Sequence, residues 1–171
     1  MLADAHRLSP ILDFLLTKAG SYSGEGVNHE GEPFKAEFNL KMIAGGHGGQ
    51  ISFRARHGEL TFHEERTWIA QDLLHETPAL WTISTNTPGV LRLELRTDDC
   101  PAHNSEIERA MSFALGDPTR LETFREEIRL EFMRDGAIRY EYSWGVPGEI
   151  FGSRSRSKLH KLERPLPPSW L

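Results

Sequence analysis

Ten short runs of strand-like sequence follow one another between residues 20 and 162, and a turn signal separates each run from the next. Several runs alternate apolar and polar side chains at every second position, which is typical of strands with one buried and one wet face. Because the connections are short, neighbouring runs are expected to pair antiparallel. The runs span residues 21–28, 34–43, 50–56, 60–70, 79–85, 90–97, 109–115, 124–134, 137–144 and 149–162.

This many consecutive antiparallel strands can bury their apolar faces in few ways. The sequence shows no second layer of helices, so the strands must close on themselves or fold into a sandwich. The meander order and a single early helix favour a mainly β fold, an up-and-down barrel of about ten antiparallel strands. Asp135-Gly136, between two alternating runs, is the strongest hairpin signal in the chain.

The first 19 residues predict a helix in two parts, with Ser9 as N-cap, Pro10 at the first helical position and Gly20 after the end. We expect this helix to pack over one end of the barrel as a lid or plug, although a helix packed only for stability fits the same pattern. The expected organisation is a helix over 1–19, one barrel domain over 20–162 and a Pro-rich extended tail over 163–171.

Composition excludes several functional classes. The 20 Lys and Arg against 25 Asp and Glu give a net charge of −5, which disfavours nucleic acid and anionic membranes as partners. No apolar run approaches the ~18 residues of a membrane-spanning helix. A single cysteine, Cys100, and an N-terminus without a signal-peptide pattern predict a cytoplasmic protein. A homodimer, with the Pro-rich tail docked on a partner subunit, is compatible with the sequence.

The order of features resembles the calycin superfamily of lipocalins and fatty-acid-binding proteins, and within it the ten-stranded barrels of the nitrobindin type. The resemblance rests on Gly24-Glu25-Gly26 in the first strand, on Glu65-Arg66-Thr67-Trp68 and on the strand count. It implies a ligand inside the barrel. Nitrobindin-like proteins bind haem through a histidine near the end of the barrel, but the segment around His160 does not resemble theirs. No cofactor is therefore predicted, and the chain is expected to form a branch with its own ligand.

The segment from Leu60 to Ile69 carries the densest chemistry. In a strand, alternate side chains share a face, so one face carries Leu60, Phe62, Glu64, Arg66 and Trp68. We predict that this face is the inner one, with Arg66 receiving an anionic group and Glu64 orienting it or acting as a base. Two alternatives remain open: a buried structural ion pair, or a bulge that turns both outward. If a bulge reverses the phase, His63 and Glu65 become the inward residues.

Further candidate ligand-binding residues come from the second half of the chain. Glu126 shares the phase of the apolar positions in its run, and Tyr140, Tyr142 and Trp144 form an aromatic wall together with Phe62 and Trp68. Plain core packing explains the aromatic residues equally well. In the last run, we favour a phase that points the serines inward and Arg154 and Arg156 outward.

Other kinds of site find little support. The chain has eight histidines, but none lies in a His-Glu-x-x-His pattern, so no metal is predicted. The glycine-rich stretch over 45–49 lacks the residues of a phosphate-binding loop, and no serine lies in a nucleophile elbow. The stretch is expected to form a flexible hairpin.

These observations predict a module that binds a small, mostly apolar or aromatic ligand with a polar or anionic end at Arg66 and Glu64. The first alternative is an enzyme in the same cavity, isomerase-like or decarboxylase-like, acting on a small carboxylated substrate. Its catalytic candidates are Glu64, Tyr140 and Tyr142. The second alternative is a structural or interaction domain whose core is filled by side chains.

Overall fold

The structure is a computed structural model that describes residues 9–167. It contains one α-helix, α1 (Pro10–Thr17), a single 3-10 turn (Ala44–Gly46) and ten strands. The strands are β1 (Gly20–Asn28), β2 (Pro33–Ile43), β3 (Gly48–His57), β4 (Leu60–Asp72), β5 (Thr77–Ser84), β6 (Thr87–Asp99), β7 (Ile107–Leu115), β8 (Arg125–Met133), β9 (Ile138–Gly145) and β10 (Gly152–Lys161).

The ten strands form a closed antiparallel barrel in meander order. Each strand pairs with its neighbours in sequence, and β1 pairs with β10 to close the sheet. This arrangement confirms the predicted fold class, a mainly β antiparallel barrel. Closure removes the two edges that an open sheet of this size would expose. The predicted hairpin at Asp135-Gly136 joins β8 to β9, and Gly136 supplies the positive φ of 85° that such a turn favours.

The alternation in sequence places one face of each strand in a common interior. Phe38, Leu40, Ile128, Leu130 and Tyr140 are each at most 1% exposed, and the polar residues between several of them face outward. The register pairs Leu130 with Tyr140 and Ile128 with Tyr142, so that side chains directly opposite each other fill the same layer of the core.

Helix α1 covers one end of this interior. The Ser9 hydroxyl accepts from Ile11 N at 3.4 Å, and Pro10 occupies the first turn, as the sequence predicts. Leu12 and Leu15 are buried, and Phe14 packs edge-on against Phe132 at 5.1 Å. Phe132 lies near the C-terminal end of β8, so the helix closes the barrel at that end.

The chain ends contribute less to the described structure. The predicted helical segment over residues 1–8 and the end of the predicted tail over 168–171 lie outside the described residues. Residues 162–167 leave β10 without regular structure and run beside β1, where Leu162 N donates to Ser21 O at 2.8 Å. Within residues 9–167, no helix has the length and apolar character needed to cross a membrane.

Candidate functional site

The direction of side chains in β4 is decided by a bulge close to its start. Ala55 of β3 pairs with His63, whereas the next residue, Arg56, pairs with Thr61, so Phe62 is an extra residue in β4. One extra residue reverses the alternation for the rest of a strand. From this bulge onward, His63, Glu65, Thr67 and Ile69 face the interior, and each is at most 5% exposed.

The inward direction predicted for Glu64, Arg66 and Trp68 is therefore wrong. Glu64 and Arg66 pair with each other at 2.9 Å on the outer wall, and Arg54 of β3 lies 3.7 Å from Glu64. Trp68 is 37% exposed. Of the three arrangements that the sequence left open, the structure has the one in which a bulge turns Glu64 and Arg66 toward solvent.

Two further residues predicted to line the interior lie at the start of β4. Phe62 is 40% exposed and contacts the edge of Phe34 at a ring distance of 5.6 Å, while Leu60 is 68% exposed. Both are thus partly or largely open to solvent, and the inward face predicted for them is wrong as well.

Glu65 is the centre of a buried hydrogen-bond network. The Tyr140 hydroxyl donates to Glu65 Oε2 at 2.7 Å, and the Thr67 hydroxyl donates to Glu65 Oε1. Thr67 Oγ1 also lies 2.8 Å from Thr82 Oγ1. Burial, followed by the charge and hydrogen bond of Glu65, holds the pKa of Tyr140 well above its ordinary value of 10, so Tyr140 stays a proton donor.

His63 lies beside this network without a hydrogen bond. It is 5% exposed, and neither ring nitrogen has a partner among the described residues. Its Nε2 is 3.7 Å from Glu65 Oε2, which is too long for a hydrogen bond. The ring stacks against Tyr142 at 5.6 Å and packs on Phe53 at 5.9 Å. Buried polar atoms are normally paired, so a histidine with two unpartnered nitrogens is a candidate for a functional position.

Glu126 is the second unusual polar group. It is 2% exposed, and its Oε2 atom has no hydrogen-bond partner among the described residues. Burial and then the negative charge of Glu65 raise the pKa of Glu126 to about 7. The Tyr142 hydroxyl lies within hydrogen-bonding range of this carboxyl, and burial also raises the pKa of Tyr142. Glu126 can therefore hold or release a proton near neutral pH.

A pocket of about 340 Å³ opens beside these residues at the end of the barrel opposite the helix. Its lining among the described residues is mainly apolar and aromatic. It comprises residues 86–88, Phe124, Tyr142, Trp144 and Val146. Tyr142 belongs both to this lining and to the polar group, since it stacks on His63 and approaches Glu126. Tyr142 is thus the wall between the open pocket and the buried polar atoms.

Arg125 holds the loops around the pocket in place. Its side chain is 0% exposed, and its guanidinium donates to the carbonyl oxygens of Thr123 at 2.7 Å, Val146 at 3.3 Å and Glu149 at 2.6 Å. These bonds tie the segment before β8 to the turn after β9. The guanidinium is used for the structure of the rim.

A larger groove of about 580 Å³ lies on the outer wall and is lined from β1, β8, β9 and β10 and by Pro33 of β2. Its lining is dominated by charged side chains, and some of them form ion pairs within a strand or between neighbouring strands. Glu131, for example, lies 3.0 Å from Arg129 and 3.5 Å from Arg139. The smaller pocket is the stronger candidate site, because its lining is mainly apolar and includes Tyr142, which contacts both His63 and Glu126.

The remaining sequence candidates fall in three places. Glu126, Tyr140 and Tyr142 lie in the interior, and Trp144 is half-buried at the pocket. In β10, Ser157 is buried and Arg156 is exposed, as in the favoured phase. Arg154 lies across the Trp144 ring at 4.1 Å.

The structure also bears on the histidines considered for haem or metal. His160 is exposed on the outer wall, opposite Ser23, and so cannot reach a group inside the barrel. Within residues 9–167, no three His, Cys, Asp or Glu side chains are grouped to hold a metal ion.

The sequence pattern missed His63, Glu65 and Thr67 as primary candidates. A usable signal exists in the hairpin of β3 and β4. Ile51, Phe53 and Ala55 form the apolar face of β3, and a register that pairs Arg54 with Glu64 puts opposite charges together on the wet face. That register requires the bulge at Phe62, and it places His63, Glu65 and Thr67 inside the barrel.

The comparisons with known proteins support the fold. No family model matches the chain, and no curated protein matches it. Among solved structures, the chain is similar to the crystal structure of Rv2717c from M. tuberculosis, with a TM-score of 0.66 and 14% identity. The match covers 92% of this chain and 100% of that chain. At this identity the likeness concerns the ten-stranded barrel fold alone.

Proposed function

We propose that this barrel binds a small, mostly apolar or aromatic molecule at its open end, with the polar end of the ligand directed toward Glu126 and His63. One observation carries the proposal. Three buried polar atoms, Glu126 Oε2 and the two ring nitrogens of His63, have no partner among the described residues and lie behind a wall of the pocket. Leaving such atoms unpaired costs about 1–3 kcal/mol each, and a ligand whose polar end displaces the Tyr142 side chain from the wall would recover this cost.

The shape and lining of the pocket support the same function. A volume of about 340 Å³ falls in the range of pockets for small molecules. Phe124, Tyr142 and Trp144 offer aromatic faces to a flat ligand body, and Tyr142 adds a hydroxyl at the inner end. The closed end is filled by the helix and its core contacts, so entry is expected from the open end.

A ligand-observed NMR screen of aromatic fragments tests this proposal. Val146→Trp fills the pocket from its lining, and Val90→Trp adds the same side chain at an exposed position of β6 that does not line the pocket. We expect fragments to bind the unmodified protein and Val90→Trp but not Val146→Trp. If no fragment binds, or if Val146→Trp leaves binding unchanged, the interior is a filled core and the domain acts through its surface.

A second candidate function is an enzyme that uses the same pocket. It is favoured by the carboxyl of Glu126, whose pKa of about 7 suits a general acid or base, beside Tyr142 and His63. An isomerase in which Glu126 removes a proton from carbon and returns it to another carbon fits this group. Turnover whose rate changes with pH around the Glu126 pKa of about 7, and which Glu126→Gln abolishes while ligand binding is retained, would distinguish this function from binding alone.

We further propose that the chain is a calycin-like barrel of the cytoplasm that works with a small-molecule ligand and not with nucleic acid or membranes. The closed ten-stranded meander and the likeness to Rv2717c support the calycin assignment. The net charge of −5 supports the choice of partner. Fractionation of cells that express the tagged chain tests the compartment.

A further inference from the structure

We infer that the Tyr142 side chain is a gate, which turns toward the pocket and opens a path from the open end of the barrel to His63 and Glu126. This inference deepens the proposed binding function and rests on it for the purpose of the movement, because a closed Tyr142 keeps a molecule in the pocket away from both groups. Tyr142 is 5% exposed, lines the pocket and stacks on His63 at a ring distance of 5.6 Å.

The preceding inward residue of β9, Tyr140, shows what a fixed ring in this barrel looks like. Tyr140 stacks on Phe53 at a ring distance of 4.6 Å, with 16° between the ring planes. A second ring, Phe38, lies 6.0 Å away, and the Tyr140 hydroxyl donates to Glu65 at 2.7 Å. Any turn of this side chain would break both the stacking and the hydrogen bond.

Tyr142 is held by weaker contacts than Tyr140. Its ring lies farther from the His63 ring than the Tyr140 ring lies from its stacking partner, and the planes meet at 30°. Its hydroxyl lies within hydrogen-bonding range of two groups, Thr87 in the pocket lining and Glu126 in the interior. The hydroxyl can therefore keep a partner at Thr87 when the ring turns away from Glu126.

A ring can turn only where space is free, because protein interiors are close-packed. The pocket of about 340 Å³ supplies this space directly beside Tyr142. Trp144, the next inward residue toward the open end, is more firmly held, since the Arg154 guanidinium lies 4.1 Å from its ring and Arg154 Nε donates to its carbonyl at 3.3 Å. Tyr142 is thus the part of this wall that can move.

The atoms behind the wall give a reason for the gate to open. In the closed position, Glu126 Oε2 and both ring nitrogens of His63 have no hydrogen-bond partner among the described residues. Opening admits water or the polar end of a ligand, and the new hydrogen bonds offset the lost contact between the rings of Tyr142 and His63. A wall in front of fully paired atoms would gain nothing by opening.

The reactivity of His63 measures the opening. Diethylpyrocarbonate acylates unprotonated imidazole nitrogens, and peptide mapping by mass spectrometry gives the rate at each histidine. Within residues 9–167 His63 is buried, whereas the other histidines, among them His57, are exposed and serve as references. We expect His63 to react at least tenfold more slowly than His57. Its rate should not change with urea below the unfolding transition, because a local opening exposes little surface.

Two substitutions should change the rate in opposite directions. Tyr142→Ala removes the ring and is expected to raise the rate at His63 at least tenfold. Val146→Trp fills the pocket, so the ring loses the space into which it turns, and the rate is expected to fall at least fivefold. Val90→Trp, the same addition outside the pocket, should leave the rate unchanged. The urea dependence and Val146→Trp keep the test valid if Tyr142→Ala does not fold.

Three results would overturn the gate. If His63 reacts as fast as His57, the path is already open. If its rate rises with urea in proportion to the unfolded fraction, the wall opens only when the whole barrel unfolds. If either folded variant, Tyr142→Ala or Val146→Trp, leaves the rate unchanged, the path lies elsewhere. No ligand is used, so the fragment screen tests the proposed function separately, and fragments that bind despite one of these results would show a ligand site without a gate.

Discussion

Glu64 and Glu65 are neighbours in sequence and lie on opposite sides of the barrel wall. Glu64 pairs with Arg66 in contact with solvent, at 2.9 Å, whereas Glu65 is buried and accepts the Tyr140 proton at 2.7 Å. The same side chain thus occurs in two environments one residue apart. This relationship supplies an internal control for the role of buried charge in the protein.

Glu65→Gln is expected to lower the free energy of unfolding by about 1–3 kcal/mol. Both carboxylate oxygens of Glu65 accept a hydroxyl hydrogen bond, and the NH2 group of glutamine cannot accept one. Glu64→Gln should change the free energy of unfolding by no more than ~0.5 kcal/mol, since an exposed ion pair contributes little. Urea denaturation of the two variants measures both values. Equal losses would show that the network around Glu65 does not stabilise the barrel.

The buried carboxyl of Glu126 predicts a pH dependence of stability. Its pKa is raised from 4.5 to about 7 on folding, so the folded state binds this proton more tightly than the unfolded state. Stability from this group is therefore complete below pH 4.5 and falls as the pH rises toward 7, by on the order of 3 kcal/mol. The groups that face the carboxyl are Glu65, His63 and Tyr142.

Denaturation of the unmodified protein and of Glu126→Gln across this pH range tests the assignment. The amide cannot ionise, so the variant should lose less stability between pH 4.5 and 7 than the unmodified protein. Identical pH profiles for the two proteins would mean that Glu126 ionises in the folded state as easily as in the unfolded state.

The helix that closes the barrel offers a pair of adjacent leucines. Leu15 is fully buried in the core, and Leu16 is 50% exposed. Leu15→Ala is expected to cost about 2–5 kcal/mol through the cavity it leaves, and Leu16→Ala no more than ~0.5 kcal/mol. Thermal and urea denaturation measure the difference. A small effect at Leu15 would show that the helix does not contribute to the barrel core.

Gly24 tests the close approach of β1 to β10. A methyl group at this position would collide with the backbone carbonyl of Lys158, whereas one at Gly152 would meet no atom within 4 Å. Gly24→Ala is therefore expected to destabilise the barrel by roughly 1–3 kcal/mol, and Gly152→Ala to stay within ~0.5 kcal/mol. Urea denaturation compares the two. Equal stability of the two variants would mean that β1 and β10 move apart at Gly24 without loss of stability.

Much of the fold and part of the site follow from local pattern. Period-2 alternation predicts ten antiparallel strands, and the capping residues predict the helix from Pro10. The same alternation predicts that Glu126, Tyr140 and Tyr142 lie inside, because regular strands without an extra residue keep the phase of their apolar neighbours.

The tertiary structure alone decided the chemistry of β4. The bulge at Phe62 exchanges the inner and outer faces, so His63 and Glu65 replace Glu64 and Arg66 in the interior. A local pattern cannot select this register, since its energy depends on pairing with both neighbouring strands and on partners far away in sequence. Glu65 meets Tyr140, 75 residues later, only because the barrel closes. Alternation determined that the chain forms a barrel, and the register between strands determined which charges the barrel encloses.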